Sequence, residues 1–360
     1  MRLLTTLLAL IAIIYYLLPL LLAEVFPWQY LWAQRKGRPT VLQTTYSGRT
    51  ILITGANGAY GSRAAKLFAL RDAERLILVD VRDCSHLKEE IEREVEALGN
   101  GKRCPQILVW TVDMMTFAGC QELAEKVKGL ESGLDHVLMT MGILSFARKE
   151  SPEGWETSLQ VNYLSNACAA LLMLPHIRSS PSNPNPPVLT FITSFGIFPA
   201  SPTMSLPKTG SYLKHLSNNK DGMAQKHQYG RSKGLLLYFA RELATRLSAG
   251  SGLPRVTVTS ADPGTAWTGL TQPNKAEFIT RVITDFGARP PEFGAAALVN
   301  GVSADASKHG KILHDFSTVP YPPFMERQSG RLAQERVWKE TREELEAKVP
   351  EIKAVYDQLD

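Results

Sequence analysis

The stretch Ile53-Thr54-Gly55-Ala56-Asn57-Gly58-Ala59-Tyr60-Gly61 sets three glycines at equal spacing directly behind a short apolar run. Glycine costs backbone entropy, so it is kept where φ must be positive or where another group approaches the main chain closely. ILITG (51–55) reads as a short buried strand, and the residues from Gly61 through SRAAKLFALRD read as a helix carrying Leu67, Leu70 and several alanines. A strand, a glycine turn and a helix N-terminus present free backbone N–H groups and a positive dipole end, which suits a pyrophosphate. An ordinary tight turn would also satisfy the glycines, so the rest of the chain has to decide.

Outward from this turn, strand and helix alternate. RLILVD (75–80), QILVWTVD (106–113), DHVLMTMG (135–142), PVLTFITS (187–194), RVTVTSADPG (255–264) and HGKILHDF (309–316), the last strand, read as strands. KEEIEREVEAL (88–98), CQELAEKVKGL (120–130), a long GWETSLQVNYLSNACAALLMLPHI (154–177), QYGRSKGLLLYFARELATRL (228–247), PPEFGAAALVNGV (290–302) and ERVWKETREELEAKV (335–349) read as helices. Such alternation implies an α/β fold with right-handed crossovers and a parallel sheet covered by helices on both faces. Two segments break the rhythm: the proline-rich SSPSNPNPP (179–187), a surface loop, and residues 196–228, a long connection between a strand and a helix.

The composition, 44% hydrophobic and 21% charged over 360 residues, is globular. The net charge of +5 is spread among 35 acids without a basic run, which argues against nucleic acid as a partner. Cys84, Cys104, Cys120 and Cys168 form no CxxC pair and have no histidine at zinc-ligand spacing, so no metal is expected and the thiols read as reduced. The amino-terminal segment differs. Between Arg2 and Glu24 lie 21 uncharged residues, enough to cross roughly 30 Å of hydrocarbon as a helix. A signal peptide is the competing reading, but its apolar region is shorter, at about 7–15 residues. The division expected is a transmembrane anchor at 1–23, an interfacial linker at 24–48 with Trp28, Tyr30 and Trp32, a catalytic domain at 49–345 and a tail at 346–360. Arg35, Lys36 and Arg38 after the span place that domain in the cytosol, on the endoplasmic reticulum or a similar membrane.

In an open parallel sheet, ligands bind beyond the carboxyl ends of the strands. Asp80 ends the second strand, where its carboxylate can accept hydrogen bonds from an adenosine ribose and repel a 2′-phosphate, favouring NAD(H). Arg82 is counter-evidence, since it could receive that phosphate and admit NADP(H). Ser194 ends a strand, and Tyr229-Gly-Arg-Ser-Lys233 puts a phenol and an ammonium on one helix face. A nearby cation favours the phenolate, so Lys233 is expected to lower the Tyr229 pKa toward neutrality and let it trade protons with an alcohol or ketone. Ser194 would hold that oxygen.

Together these motifs make residues 49–345 resemble the short-chain dehydrogenase/reductases, most closely a retinol-dehydrogenase-like branch, through VNYLSNACAALLMLP, RSKGLLLYFARELATRL and VTVTSADPGTAWTGL. The resemblance implies a single Rossmann-type, doubly wound parallel sheet with helices on both faces, and hydride transfer between a nicotinamide cofactor and an alcohol or ketone. It casts Asn162, Ser194, Tyr229 and Lys233 as the catalytic set, with Asn162 holding a proton-relay water. For the cofactor it implies Gly55, Asn57, Gly58, Tyr60, Gly61 and Asp80, Asp113 and Met114 near the adenine, Gly142, and Pro263, Gly264 and Thr268 beside the nicotinamide, along with Tyr229 and Lys233.

The chain also departs from the family pattern. TGxxGxxG replaces the compact members' TGxxxGxG, leaving Ala59 where a glycine belongs, a spacing shared with extended epimerases and dehydratases. Met139-Thr140-Met141-Gly142 lacks the usual backbone-fixing asparagine. Met204, Phe278, Ile279, Val282 and Ile283 are candidates for a lipophilic pocket. The expected function is oxidoreduction of a lipophilic alcohol or ketone of retinoid, sterol, terpenoid or polyketide type, with an epimerase or dehydratase and a non-catalytic dinucleotide-binding protein as rivals and a homo-oligomer left open.

Overall fold

The computed structural model describes residues 44–99, 101–145, 147–178, 186–201, 204–218, 227–248, 256–270, 288–315 and 317–360. The expected anchor at 1–23, most of the linker, and the pocket candidates Phe278, Ile279, Val282 and Ile283 lie outside these residues. Among the described residues, no helix is long and apolar enough to cross a membrane.

The chain runs β1 (Thr50–Thr54), α1 (Ala59–Ala69), β2 (Arg75–Asp80), α2 (Ser85–Ala97), β3 (Gln106–Thr111), α3 (Phe117–Lys128) and β4 (His136–Met139). The second half follows with α4 (Thr157–Leu159), a π-helical segment (Gln160–Ser165), α5 (Asn166–Met173) and β5 (Val188–Ile192). Next come α6 (Ile197–Ala200), α7 (Tyr212–Asn218), α8 (Gln228–Ser248), β6 (Thr257–Asp262), α9 (Pro291–Val302) and β7 (Lys311–His314). β8 (Ser317–Val319), α10 (Pro323–Glu326), α11 (Gln328–Lys348) and α12 (Lys353–Leu359) complete the described chain. The sheet order is β3-β2-β1-β4-β5-β6-β7-β8, with every pair parallel except β7 with β8.

All five residues of β1 are buried because the sheet is covered on both faces, and a strand so placed reads as a continuous apolar run. Ile51, Ile53, Leu76 and Leu78 pack with Ala64, Ala65 and Phe68 of α1 and with Leu298 and Val299 of α9. Leu52, Ile77 and Val79 face the opposite layer, where α3, α5, α8 and α11 meet. Strand order reverses between β1 and β4, so the chain leaving β1 and the chain leaving β4 part in opposite directions at their carboxyl ends and open a crevice there.

Three expectations are corrected and a fourth gains detail. The domain starts before Arg49: Tyr46 is only 2% exposed, its hydroxyl donates to the Val299 carbonyl, and its ring meets Phe68 edge-on at 4.9 Å. The connection after β5 carries α6 and α7 in its described parts. There Glu340 of α11 accepts hydrogen bonds from the backbone N–H groups of Tyr212 and Leu213, both at 2.9 Å, and so caps the short α7. HGKILHDF does not end the sheet, since Ser317–Val319 adds the antiparallel β8. Residues 346–360 are no tail either: Val349, Ile352, Val355, Tyr356 and Leu359 are buried in the larger core. Trp338 lies stacked on Phe239 of α8 at 5.5 Å and edge-on to Tyr356 at 5.2 Å, contacts worth about 0.5–1.5 kcal/mol each beyond buried area.

Candidate active site

The glycine turn is built by backbone lying on backbone. Gly55 has φ +67, and a Cβ on Gly61 would stand 2.3 Å from the Gly55 carbonyl oxygen, so α1 can start here only without a side chain at 61. Gly58 is the N-cap, no side chain caps it, and the first turn holds no acid, which leaves its N–H groups for an anion. Ala59 is the first residue of the helix, where a methyl is tolerated, so the departure from TGxxxGxG leaves the strand–turn–helix intact.

Asp80 is drawn into this turn. Its Oδ2 accepts the Asn57 N–H at 3.0 Å and its Oδ1 accepts the Arg82 N–H at 3.1 Å. The Asn57 side-chain amide in turn donates to the carbonyls of Arg82 and Asp83, locking the ends of β1 and β2 together. The Arg82 guanidinium stands 3.7 Å from the Asp80 carboxylate with its side chain 73% exposed, free to meet a further anion. Asp113 is exposed and accepts the Met115 N–H at 2.9 Å. Met114, expected beside the adenine, has its side chain buried in the larger core.

The second half of the site gathers at the carboxyl ends of β4 and β5. A Cβ on Gly142 would lie 3.3 Å from Asn162 Oδ1 and 3.4 Å from Lys233 Nζ, so three separate segments converge on this point. Asn162 sits in the π-helical segment, a form of helix often found at functional sites. Its Oδ1 accepts the Ile143 N–H at 2.7 Å, and its Nδ2 donates to the Ile143 carbonyl at 2.9 Å and to Ser232 Oγ at 3.0 Å. Asn162 thereby fastens the loop after β4 to α8. The missing asparagine after β4 is replaced in kind: Thr140 Oγ1 donates to the Thr54 carbonyl at 2.6 Å, tying β4 to the root of the glycine turn.

On α8, Tyr229 is partly buried and shares a hydrogen bond with Ser194, whose Oγ also accepts the Gly196 N–H at 3.1 Å. Gly230 makes this approach possible, because a Cβ there would lie 2.1 Å from the Gly196 carbonyl. Lys233 is 2% exposed, donates to the Ile192 carbonyl at 3.1 Å, and holds its Nζ 5.9 Å from the centre of the Tyr229 ring. The expectation that Lys233 acidifies Tyr229 is overturned. Burial, reinforced by the Asp262 charge and only partly offset by Ser194, pushes the phenol up to about 12. Burial likewise pulls the Lys233 ammonium down to about 7. Desolvation is thus the leading influence on both groups, and the phenol keeps its proton at neutral pH.

The remaining expected residues divide. Tyr60, Pro263 and Gly264 are joined, with the Tyr60 hydroxyl donating to the Gly264 carbonyl at 3.2 Å. Thr268 is partly buried and its Oγ1 accepts the Leu270 N–H at 3.3 Å. Met204 lies in the core, its carbonyl accepting the Tyr212 hydroxyl at 2.7 Å. Sequence reasoning missed Thr140, Gly230, Ser232 and Arg289, whose partners lie far away along the chain.

A Rossmann-type sheet, an uncapped glycine turn at its switch point and a Ser–Tyr–Lys cluster across the crevice define a dinucleotide-dependent oxidoreductase class. Residues 49–183 match the short chain dehydrogenase family. The short-chain dehydrogenase/reductase ffsI of Aspergillus flavipes is 28% identical over 329 residues, covering 89% of this chain and 93% of its own. The short-chain dehydrogenase/reductase phmF of Phaeosphaeria nodorum is 29% identical, covering 87% and 90%. Among solved structures, the Pseudomonas aeruginosa RhlG/NADP active-site complex shares the fold at a TM-score of 0.53 and 21% identity, covering 76% of this chain and 96% of that one. The chain thus resembles the short-chain dehydrogenase/reductases along most of its length, and it is an NAD(P)-dependent oxidoreductase acting on alcohol or ketone groups.

Proposed function

We propose that this enzyme transfers a hydride between a nicotinamide dinucleotide and a lipophilic alcohol or ketone, with Tyr229 exchanging the proton. The observation carrying the proposal is the convergence of Ser194, Tyr229 and Lys233 with Asn162 and Gly142 at the strand ends facing the glycine turn. When bound, the nicotinamide would donate hydride in the reduction and accept it in the oxidation. The uncapped N-terminus of α1 would hold its pyrophosphate, and Lys233 its nicotinamide ribose. Ser194 orients the substrate oxygen toward the Tyr229 hydroxyl, which gives that oxygen a proton during reduction and is left as phenolate; in oxidation Tyr229 first releases its own proton, and the phenolate then takes the alcohol's. Asn162 steadies this wall and, by the family resemblance, would hold the relay water.

Cofactor choice turns on Asp80 and Arg82. Asp80 supports NAD(H), while the exposed Arg82 guanidinium beside it supports NADP(H), the dinucleotide named for the Pseudomonas aeruginosa relative. The uncharged residues 3–23 support a single membrane span that keeps the catalytic domain on the cytosolic face, close to substrates dissolved in the bilayer. The likeness to the retinol-dehydrogenase-like branch supports a retinoid, sterol, terpenoid or polyketide as substrate. Incubating the full chain in detergent with NAD(H) or NADP(H) and a panel of lipophilic and water-soluble alcohols and ketones tests this reading. Cofactor turnover confined to the lipophilic members is expected, and turnover on the water-soluble members alone would contradict it. Alkaline carbonate extraction tests the span: the chain is expected to stay with the membrane pellet, and its release would refute anchoring.

A further inference from the structure

Behind Pro263–Gly264 lies a buried cluster of charges that the proposed reaction does not use. The Gly264 N–H donates to Asp262 Oδ1 at 2.9 Å. The Pro263 carbonyl accepts Arg289 Nε at 3.1 Å and Nη2 at 2.7 Å. Arg289 Nη2 also stands 2.8 Å from Asp315 Oδ1, with side chains 3% and 12% exposed. His314 lies between the acids, its Nδ1 3.8 Å from Asp262 Oδ2 and its Nε2 4.0 Å from Asp315 Oδ2. Tyr60, in the first turn of α1, donates to the Gly264 carbonyl.

The geometry around this cluster is costly in itself. Gly264 has φ +73, and a Cβ there would come 2.7 Å from Arg289 Nε, so the guanidinium is seated directly against the peptide. Asp315 has φ +54, a conformation that aspartate tolerates better than most residues but that still selects against an extended strand end. Burying charges such as these usually adds little stability over a well-packed apolar replacement. Geometry is the better account: a planar fork anchored on a carboxylate fixes a carbonyl in direction as well as position.

We infer that Arg289, braced by Asp315, is a positioning residue that sets the Pro263–Gly264 peptide where the nicotinamide end of the dinucleotide binds. The inference rests on the proposed reading of the site, and it assigns Arg289 a role in the reaction although it lies 60 residues beyond Tyr229.

The test compares the wild-type chain with Arg289→Met and Arg289→Lys. Without nucleotide, amide hydrogen exchange in the peptide covering 260–267 is expected to speed up by about 10-fold in Arg289→Met, with β1 and α1 unchanged. The Kd for the better bound of NADH and NADPH is expected to rise by about 10-fold, whereas ADP-ribose or its 2′-phosphate, which lacks the ring, binds within about 2-fold of wild type. On a turned-over substrate kcat is expected to fall by about 10- to 100-fold with little change in KM, and Arg289→Lys to recover part of it. Unchanged exchange and an unchanged ratio of the two Kd values would overturn the inference. An equal loss of both ligands with a general rise in exchange would overturn it too, since Arg289 would then be structural only. If the wild-type chain binds dinucleotide but turns over no alcohol or ketone, the functional reading fails while exchange and the Kd ratio still decide on Arg289.

Discussion

The two walls of the crevice are held by opposite means. At β1 the wall is chiefly main chain against main chain, with Gly61 lying against the Gly55 carbonyl, and one side chain, the Asp80 carboxylate, accepts the Asn57 N–H beside it. At β6 the wall is held by side-chain charges gathered from Arg289 and Asp315 onto Pro263. A backbone-built wall has no slack, so a single added carbon disrupts it. A wall built from side chains loses aim before it loses shape, because the polypeptide beneath it stays packed in the sheet.

The strongest way to break this comparison is Gly61→Val. Its Cβ would meet the Gly55 oxygen at 2.3 Å and the Ala56 Cα at 3.0 Å, both backbone atoms that cannot rotate away. Overpacking of about 1–3 kcal/mol or more is expected, together with loss of dinucleotide binding, read by thermal melting and by fluorescence titration. Melting and binding that match the parent would show that the glycine wall is not rigid.

A smaller effect follows from Lys233, which belongs to neither wall. Its ammonium has an ordinary value of 10.5 and is pulled down to about 7 by burial. Between those values the unfolded chain binds more protons than the folded one, so stability without nucleotide rises with pH across that window. Lys233→Met is expected to flatten the rise in urea unfolding measured at several pH values. A slope that persists in the variant assigns it to another group.

The smallest effect concerns Thr140, which ties β4 to the glycine wall through the Thr54 carbonyl. Thr140→Val is expected to cost about 0.5–1.5 kcal/mol in urea unfolding, with Thr140→Asn closer to wild type. A silent Thr140→Val would mean that the wall needs no such tie.

Much of this was open to reading from sequence, and the division follows the same contrast. The glycine turn, the strand ends at Asp80 and Ser194, and the Tyr229–Lys233 spacing are local, so a few adjacent residues declare them. Thr140 and Arg289 act on carbonyls 86 and 26 residues away, and no local pattern records that partnership. Burial was equally hidden: a helix face shows that Tyr229 and Lys233 are neighbours, but not how far each is removed from water, and that desolvation reversed the expected effect on the phenol. β8 is a short, exposed edge strand with no apolar run to announce it. The segment from Val349 to Leu359 did carry a signal, since its apolar residues recur at three- and four-residue steps as in a buried helix face.

The central claim is that Tyr229 exchanges the substrate's proton, and Tyr229→Phe tests it most directly. On a substrate that the wild type turns over, single-turnover oxidation of NADH or NADPH is expected to slow by about 10²- to 10⁴-fold, while the nucleotide Kd stays within about 3-fold. A Tyr229→Phe chain that binds the nucleotide normally and reacts at the wild-type rate would contradict the account.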